Sequence, residues 1–272
     1  MMLRMPPMTE AALREKFFAA TDYATIPGGR KKLEYLFSVL QRLKVTRPHV
    51  KVLDVGCGNG AITFAVASLG CEVVGVDVSE SSIEHARESN RFVNARFEVV
   101  LGDEFDLNDC YDLIICSEVL EHLYRPQRLL KTMVRHLKND GFLFITVPNG
   151  YGPREILGRT EKFLRERLNL GKLIDEARSK VKMLDAAKKC AVHTSNPDQD
   201  HVQKFTMKQL RGFLRGAGLS AIERVNSIFV FSVMVRTKHG GVDNLDGRLA
   251  DYLPHFMASG WYLLCQKRAH GV

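Results

Sequence analysis

Two apolar runs of this chain each end in an acidic residue, and alternating glycines follow the first of them. Asp54 closes the first run, Gly56, Gly58 and Gly60 come next, and Asp77 closes the second run. Glycine lets the backbone turn tightly and approach a ligand where a Cβ atom would collide. Asp77 follows Gly56 by 21 residues, close to the spacing of about 20 at which a strand-end acid binds a ribose in dinucleotide folds. The pattern predicts a nucleoside pocket.

Strand-like and helix-like segments alternate from about residue 49 to residue 148, which is typical of a parallel sheet wrapped by helices. Five candidate strands are short apolar runs bounded by Gly, Asp or Asn: 50–55, 72–77, 95–101, 111–116 and 142–147. Helices are predicted between them: 61–69, 80–90 and 118–137. A helix over 206–217 precedes two more predicted strands, 221–235 and 260–266, which an irregular link separates. We expect an α/β fold, a Rossmann-like three-layer sandwich whose seven-stranded sheet is mostly parallel.

The order of these segments along the chain predicts four regions. Residues 1–45 form a helical lead-in, residues 46–148 the cofactor-binding core, residues 149–204 a helical lid or acceptor insertion, and residues 205–272 complete the core sheet. The insertion follows the fifth strand and therefore lies at the carboxyl edge of the sheet, where open α/β sheets bind ligands. Its turn-rich start favours a movable lid. The alternative is a segment that packs on the sheet edge or forms a dimer contact.

Charge and cysteine content narrow the class of protein. The six cysteines are scattered without a CxxC pair, which favours reduced thiols in a cytoplasmic protein. No apolar run approaches the length of about 20 residues that spans a bilayer, and the N-terminal residues do not resemble a secretory signal. The net charge is +8, and residues 151–190 carry 11 Lys and Arg against 6 Asp and Glu. Such an excess is either a solvated helix face or an attraction for an anionic partner.

Further hydrogen-bond acceptors at strand ends distinguish a dinucleotide pocket from another kind of nucleoside pocket. The glycine turn alone also fits the relaxed dinucleotide fingerprint. However, Asp54 precedes the glycines where dinucleotide strands are usually apolar, Gly102 and Asp103 close the third candidate strand, and Ser117 follows the fourth. Over residues 51–148 the chain resembles the class I S-adenosylmethionine-dependent methyltransferases.

The resemblance assigns a role to each of these positions. It implies that Asp54, Gly56, Gly58 and Gly60 lie against the methionine part of the cofactor. It also implies that Asp77 binds the ribose hydroxyls, Asp103 the adenine amino group, and that Ser117 lines the methyl-donor end. The neighbouring residues complete the predicted cofactor-binding set: Cys57, Val78 and Gly102.

The candidate bases follow the fourth strand. Glu118, Glu121 and His122 have the spacing that places side chains on one face of a helix, and His201 lies where the insertion rejoins the core. His122, His201 and Glu118 are the predicted catalytic residues, because an oxygen acceptor must lose a proton. The Glu-x-x-Glu-His pattern resembles both ubiquinone-type O-methyltransferases and small-RNA 3′-terminal 2′-O-methyltransferases.

The second of these subgroups implies a different use of the same side chains. There, Glu118, Glu121, His122 and His201 would bind a divalent cation (magnesium, manganese or zinc), which would lower the pKa of the acceptor hydroxyl. The other interpretation is that the Glu-His pair only packs or caps a helix, and that His201 is a hydrogen-bonded residue of the acceptor site.

The sequence thus predicts an S-adenosylmethionine-dependent methyltransferase that acts on an oxygen of a small-molecule, glycan or lipid-linked acceptor. The basic insertion favours an anionic acceptor or a peripheral contact with a membrane. A nucleic-acid acceptor is disfavoured because the insertion lacks obvious aromatic stacking residues. The alternatives are an RNA 2′-O- or N-methyltransferase and, in another class, a regulatory protein that binds the cofactor without turnover.

Overall fold

The computed structural model describes residues 9–22, 28–167, 202–228 and 241–268. Seven strands form one sheet: β1 (Lys51–Val55), β2 (Glu72–Asp77), β3 (Ala95–Val99), β4 (Tyr111–Ser117), β5 (Leu137–Pro148), β6 (Leu219–Asn226) and β7 (Gly260–Lys267). Their order across the sheet is β3-β2-β1-β4-β5-β7-β6. Strands β1 to β5 pair in parallel, whereas β7 runs antiparallel to both β5 and β6. The predicted fold class is confirmed.

Eight α-helices accompany the sheet in the described residues: α1 (Glu10–Ala19), α2 (Gly29–Thr46), α3 (Ala61–Ser68), α4 (Glu80–Ser89), α5 (Pro126–His136), α6 (Pro153–Arg167), α7 (Met207–Gly216) and α8 (Gly241–Tyr252). Ser79 caps the start of helix α4, because its hydroxyl accepts a hydrogen bond from the Ser82 amide. Helix α7 begins with a capping box between Thr206 and Gln209. None of the described helices is both long and apolar enough to cross a membrane.

The core lies on both faces of the sheet. One cluster of buried side chains joins the sheet to α5 and α7, and a second joins the other face to α1, α2, α3 and α4. Strand β4 is buried along nearly its whole length, as expected of a central strand covered by helices on both sides. Gly150 donates its amide hydrogen to the Phe205 carbonyl (3.1 Å), which joins the two ends of the predicted insertion.

Three local predictions are wrong. The helix predicted over 118–137 is two elements, a 3₁₀ turn at Leu120–His122 and helix α5, because Pro126 starts a new helix. Strand β6 ends at Asn226 rather than continuing to residue 235, although residues 229–240 lie outside the described part of the chain. The link before β7, predicted to be irregular, contains helix α8. The four predicted regions stay a prediction.

Candidate active site

The glycine turn after β1 is held against the end of β2 by one carboxylate and one carbonyl. Asp77 Oδ2 accepts a hydrogen bond from the Gly58 amide (2.8 Å), and Asp77 Oδ1 accepts one from the Ser79 amide (2.9 Å). The Val76 carbonyl accepts bonds from the amides of Gly56 (2.8 Å) and Cys57 (3.0 Å). Asp77 therefore fixes the turn from one side and the start of α4 from the other.

Glycine is required at Gly56 and Gly60 for two separate reasons. Both have left-handed backbones, with φ of 71° and 84°, a region that costs other residues about 1–2 kcal/mol. In addition, a Cβ atom at Gly56 would lie 2.4 Å from Val119 Cγ2, and one at Gly60 would lie 2.8 Å from the Phe97 ring. The turn is therefore packed closely against the segment that follows β4 and against β3.

Asp54 is enclosed by the protein, with 2% of its surface exposed. Its Oδ2 accepts a hydrogen bond from Thr63 Oγ1 (2.7 Å), which joins the end of β1 to the first turn of α3. Burial raises the pKa of Asp54 to about 7, and the bond from Thr63 opposes that rise. Burial also raises the pKa of the Cys57 thiol well above its ordinary value, so that this thiol stays protonated.

A cavity of about 810 Å³ runs along the carboxyl edge of β1, β2, β3 and β4. Ten predicted site residues line it: Asp54, Gly56, Cys57, Asp77, Val78, Gly102, Asp103, Ser117, Glu118 and His122. Gly58, Gly60 and Glu121 do not line it; the first two shape the turn behind its wall. His201 lies outside the described residues. The cavity brings together residues from four strand ends that are far apart in the sequence.

The two ends of this cavity differ in chemistry. Asp77 and Asp103, which follow β2 and β3, supply carboxylate acceptors on one side of β1, together with the apolar residue Val78. Ser117, Glu118 and His122, at and after the end of β4, supply polar groups on the other side of β1. An elongated molecule with a nucleoside at one end and a charged, reactive group at the other fits this arrangement. S-adenosylmethionine is such a molecule, so the residues present fit the predicted cofactor.

Glu118 has an unusual backbone at the second end of the cavity. It is the one residue other than glycine with positive φ (57°) in the part of the chain that the structure describes. Such a conformation is strained for a residue with a Cβ atom, and strain of this kind concentrates at functional sites. The Glu118 carboxylate accepts hydrogen bonds from Thr146 Oγ1 (2.7 Å) and Lys32 Nζ (3.1 Å).

Lys32 is a residue of this site that the sequence reasoning missed. It lies in α2 with only 5% of its surface exposed. Its Nζ donates to Ser117 Oγ (2.9 Å) as well as to Glu118, and it lies 5.9 Å from the centre of the Tyr262 ring. The available signal was its spacing, because Lys32 precedes Leu36 and Leu40 by four and eight residues and shares their buried side of the helix.

Glu121 lies outside the cavity and is fully buried. No hydrogen-bond donor of the described residues reaches either of its carboxyl oxygens. Burial, and after it the nearby Glu118 carboxylate, raise the pKa of Glu121 well above its ordinary value. The prediction that Glu118, Glu121 and His122 share one helical face is wrong, because Glu118 precedes the 3₁₀ turn and Glu121 points into the core.

The described residues contain no group of three or more His, Cys, Asp or Glu side chains arranged to hold a metal ion. Lys32 places a positive charge beside Glu118, where a cation bound by that carboxylate would compete with it. Since His201 lies outside the described residues, the four-ligand metal site stays a prediction.

Comparison with known proteins identifies relatives of this chain. The profile of a family described as "Methyltransferase domain" matches residues 46–212. The chain is 31% identical to "Ubiquinone biosynthesis O-methyltransferase" of Rickettsia canadensis over 131 residues, which cover 47% of this chain and 55% of that protein. A protein of the same name from Coxiella burnetii is 36% identical over 135 residues, covering 45% and 56%. The chain thus spans about half the length of the curated relatives it matches.

Solved structures share the fold at low sequence identity. One is an S-adenosylmethionine-dependent methyltransferase from Clostridium acetobutylicum, with a TM-score of 0.55, 13% identity and coverage of 92% of this chain and 94% of that one. Another is PKMT2 from Rickettsia typhi in complex with AdoHcy, with a TM-score of 0.53, 14% identity and coverage of 82% and 49%.

Proposed function

The chain belongs to the methyltransferase-domain family, and on that premise we propose that it transfers the methyl group of S-adenosylmethionine to an oxygen of a small-molecule acceptor. The resemblance to class I S-adenosylmethionine-dependent methyltransferases is confirmed at the level of family and fold. The choice of oxygen rests on relatives that are named ubiquinone biosynthesis O-methyltransferases. The observation that carries the proposal is the single cavity that joins Asp77 and Asp103 to Ser117, Glu118 and His122.

In this proposal the protein positions the reactants and removes one proton. Bound S-adenosylmethionine supplies a methyl group that its sulfonium already makes electrophilic. Asp77 and Asp103 bind the adenosine part, and the glycine turn supports the rest of the cofactor. His122 accepts the hydroxyl proton of the acceptor, because its ring lines the cavity at the methyl-donor end and imidazole titrates near neutral pH. Glu118, held by Lys32 and Thr146, orients the acceptor.

A lipid-linked acceptor at a membrane surface is the finer form of this proposal. Ile156 and Phe163 of α6 are more than half exposed, and Arg159 and Arg167 are exposed on the same helix. Apolar and basic side chains together suit the interface of an anionic membrane. The cytoplasmic location predicted from the cysteines belongs to this proposal as well, and the five described cysteines are free thiols.

The first experiment measures cofactor binding. Calorimetry with S-adenosylmethionine and S-adenosylhomocysteine is expected to show binding of both to the wild-type protein. Asp77→Ala removes two charge-assisted hydrogen bonds to backbone amides, so we expect affinity to fall about 10- to 100-fold. Asp109→Ala is the matched control, because Asp109 pairs with Lys51 away from the cavity. The absence of binding to the wild-type protein would end the proposal.

The second experiment identifies the acceptor atom. A labelled methyl donor is offered with phenols, lipid-linked hydroxyl compounds, amines and short RNAs, and the expected product carries the label on oxygen. His122→Ala is expected to retain cofactor binding and to lose most of the transfer. Label on nitrogen or on RNA would replace the proposed acceptor. Cofactor binding without transfer to any class would favour a regulatory protein.

A further inference from the structure

A second cavity, of about 340 Å³, lies at the start of α2 and shares no lining residue with the cofactor cavity. We call it the basic cavity and define it by four side chains from three helices: Arg14, Arg30, Lys31 and Arg248. The described lining residues include two acids, Glu34 and Asp251. Positive groups therefore outnumber negative ones by two among the described lining residues.

The acids of the basic cavity do not neutralise all of its positive charge or use all of its N–H donors. One oxygen of Glu34 serves two guanidinium groups, those of Arg14 (3.2 Å) and Arg30 (3.3 Å). Asp251 pairs with Lys31 Nζ (2.7 Å). Arg248 is exposed and pairs with no acid among the residues that the structure describes. A guanidinium has five N–H donors, so these pairs do not exhaust the hydrogen-bonding capacity of the arginines.

The two arginines that share Glu34 are held in position by an aromatic ring. The guanidinium carbon of Arg14 lies 5.8 Å from the centre of the Phe18 ring, and that of Arg30 lies 5.5 Å from it. Cation–π contacts of this kind favour these positions of the charged groups. An anion that entered the cavity would meet guanidinium groups whose positions are already set, so that less side-chain entropy is lost on binding.

The start of α2 adds to the positive potential. Gly28 provides no side-chain cap, and the first turn contains no acidic residue; instead it carries three consecutive basic residues, Arg30 to Lys32. The N-terminal end of a helix is the positive end of its dipole, so basic side chains there are unfavourable unless an anion offsets them. Arg30 and Lys31 of this turn line the basic cavity, so the helix dipole adds to the positive potential there.

The basic cavity faces the same edge of the sheet as the cofactor cavity. Lys31 Nζ donates to the carbonyl of Ser227 (3.1 Å), just after β6, whereas Lys32 reaches Ser117 at the end of β4. Strand β6 lies three positions from β4 in the sheet, which is about 14 Å at the usual strand spacing. An elongated molecule could occupy both the basic cavity and the methyl-donor end.

From these observations we infer that the basic cavity binds a phosphoryl group of the methyl acceptor. The inference rests on the proposed function and names its substrate class, a phosphate ester long enough to reach from the basic cavity to the methyl-donor end. A phosphoryl group is preferred because the planar guanidinium fork matches phosphate oxygens. A lipid headgroup and a water-soluble phosphate ester share this chemistry.

The test measures binding of inorganic pyrophosphate to the full chain by calorimetry at low ionic strength. Pyrophosphate is expected to bind the wild-type protein and to bind Arg30→Gln/Arg248→Gln at least tenfold more weakly. Arg96→Gln/Arg215→Gln is the control with the same change in net charge, because these exposed arginines lie outside both cavities. It is expected to bind pyrophosphate within twofold of the wild type. No binding to the wild type, or an equal loss in the control, would overturn the inference.

S-adenosylmethionine binding to the same proteins separates this inference from the proposed function. Both double variants are expected to bind it with wild-type affinity, which also shows that they fold. If the wild type binds pyrophosphate but not S-adenosylmethionine, the methyltransferase proposal fails. If the wild type binds S-adenosylmethionine but not pyrophosphate, only the inference about the basic cavity fails.

Two further arms identify the source of the phosphate. Binding that depends on Arg30 and Arg248 is measured with vesicles of phosphatidylcholine and phosphatidic acid, and with glycerol 3-phosphate. If binding to the vesicles depends on the two arginines, the acceptor is a lipid. If binding of glycerol 3-phosphate depends on them, the acceptor is a soluble ester. If neither does, the phosphate-ester acceptor is overturned.

Discussion

The adenosine end and the methyl-donor end of the cofactor cavity are built in different ways. At the adenosine end, a short stretch of chain folds on itself, and Asp77 binds backbone amides of a turn 19 residues earlier and of Ser79, two residues later. At the methyl-donor end, Glu118 depends on Lys32, 86 residues before it, and on Thr146, 28 residues after it. The first end is organised by backbone turns, and the second by side chains that meet only in the folded protein.

Val119 is where the two ends touch, and this contact gives the largest expected effect. Gly56→Ala would place a Cβ atom 2.4 Å from Val119 Cγ2 in a backbone with φ of 71°. Gly70→Ala is a matched control, since its φ is 79° and nothing lies within 4 Å of its Cβ position. We expect the control to lose about 1 kcal/mol of unfolding free energy from the backbone alone, and Gly56→Ala to lose about 3 kcal/mol.

Urea unfolding measures both losses, and calorimetry measures the accompanying fall in cofactor affinity. The double variant Gly56→Ala/Val119→Ala is expected to regain part of the difference, because it relieves the overlap and leaves the backbone strain. Equal losses in Gly56→Ala and Gly70→Ala would mean that the two ends are not in tight contact.

The contrast between the ends also explains which parts could be predicted from the sequence. The turn, Asp77 and Asp103 follow from local spacing, because parallel strands bring their carboxyl ends to one edge whatever the rest of the chain does. Lys32 carries no local signal of function, since its partners are set by the packing of α2 on the sheet. Periodicity also failed at Glu118, because one left-handed residue and Pro126 interrupt a helical pattern. Helix α8 was missed because its sequence is rich in Gly and Asp.

The second prediction tests whether the methyl-donor end is one coupled unit. Lys32→Met removes a nearly buried cation and leaves the Glu118 carboxylate beside buried Glu121, so we expect a loss of about 2 kcal/mol in unfolding free energy. Lys138→Met is the control, because Lys138 is more exposed and Asp112 keeps its bond to Arg47; we expect it to lose less than about 1 kcal/mol.

A double-mutant cycle then measures the coupling of Lys32 to Glu118. Lys32→Met/Glu118→Gln is expected to be more stable than the sum of the single losses predicts, by about 1 kcal/mol. Lys32→Arg keeps the charge and is expected to retain most of the stability. Strict additivity of Lys32→Met and Glu118→Gln would show that the ion pair contributes little and that the two residues act independently.

The smallest expected effect concerns Asp54, beside the glycine turn, and depends on pH. Its pKa is raised to about 7 in the folded protein, against about 3.9 for an unfolded chain. Between these values the folded state binds the additional proton, so the contribution of Asp54 to stability is greatest below pH 4, falls as pH rises, and levels off above pH 7. Between pH 6 and pH 8 this group is expected to cost about 1 kcal/mol.

Asp54→Asn cannot ionise and keeps an oxygen for the bond from Thr63 Oγ1, so the difference in unfolding free energy between wild type and variant isolates the titration. Urea unfolding at pH 6 and pH 8 is expected to show a larger fall in unfolding free energy for the wild type than for Asp54→Asn. Thr63→Val removes the donor that stabilises the ionised carboxylate, and should move the fall to higher pH. Parallel pH profiles for wild type and Asp54→Asn would mean that Asp54 is already ionised at pH 6. In that case water or a bound group reaches the back of the glycine turn, and the adenosine end is less enclosed than the contacts around Gly56 and Asp77 indicate.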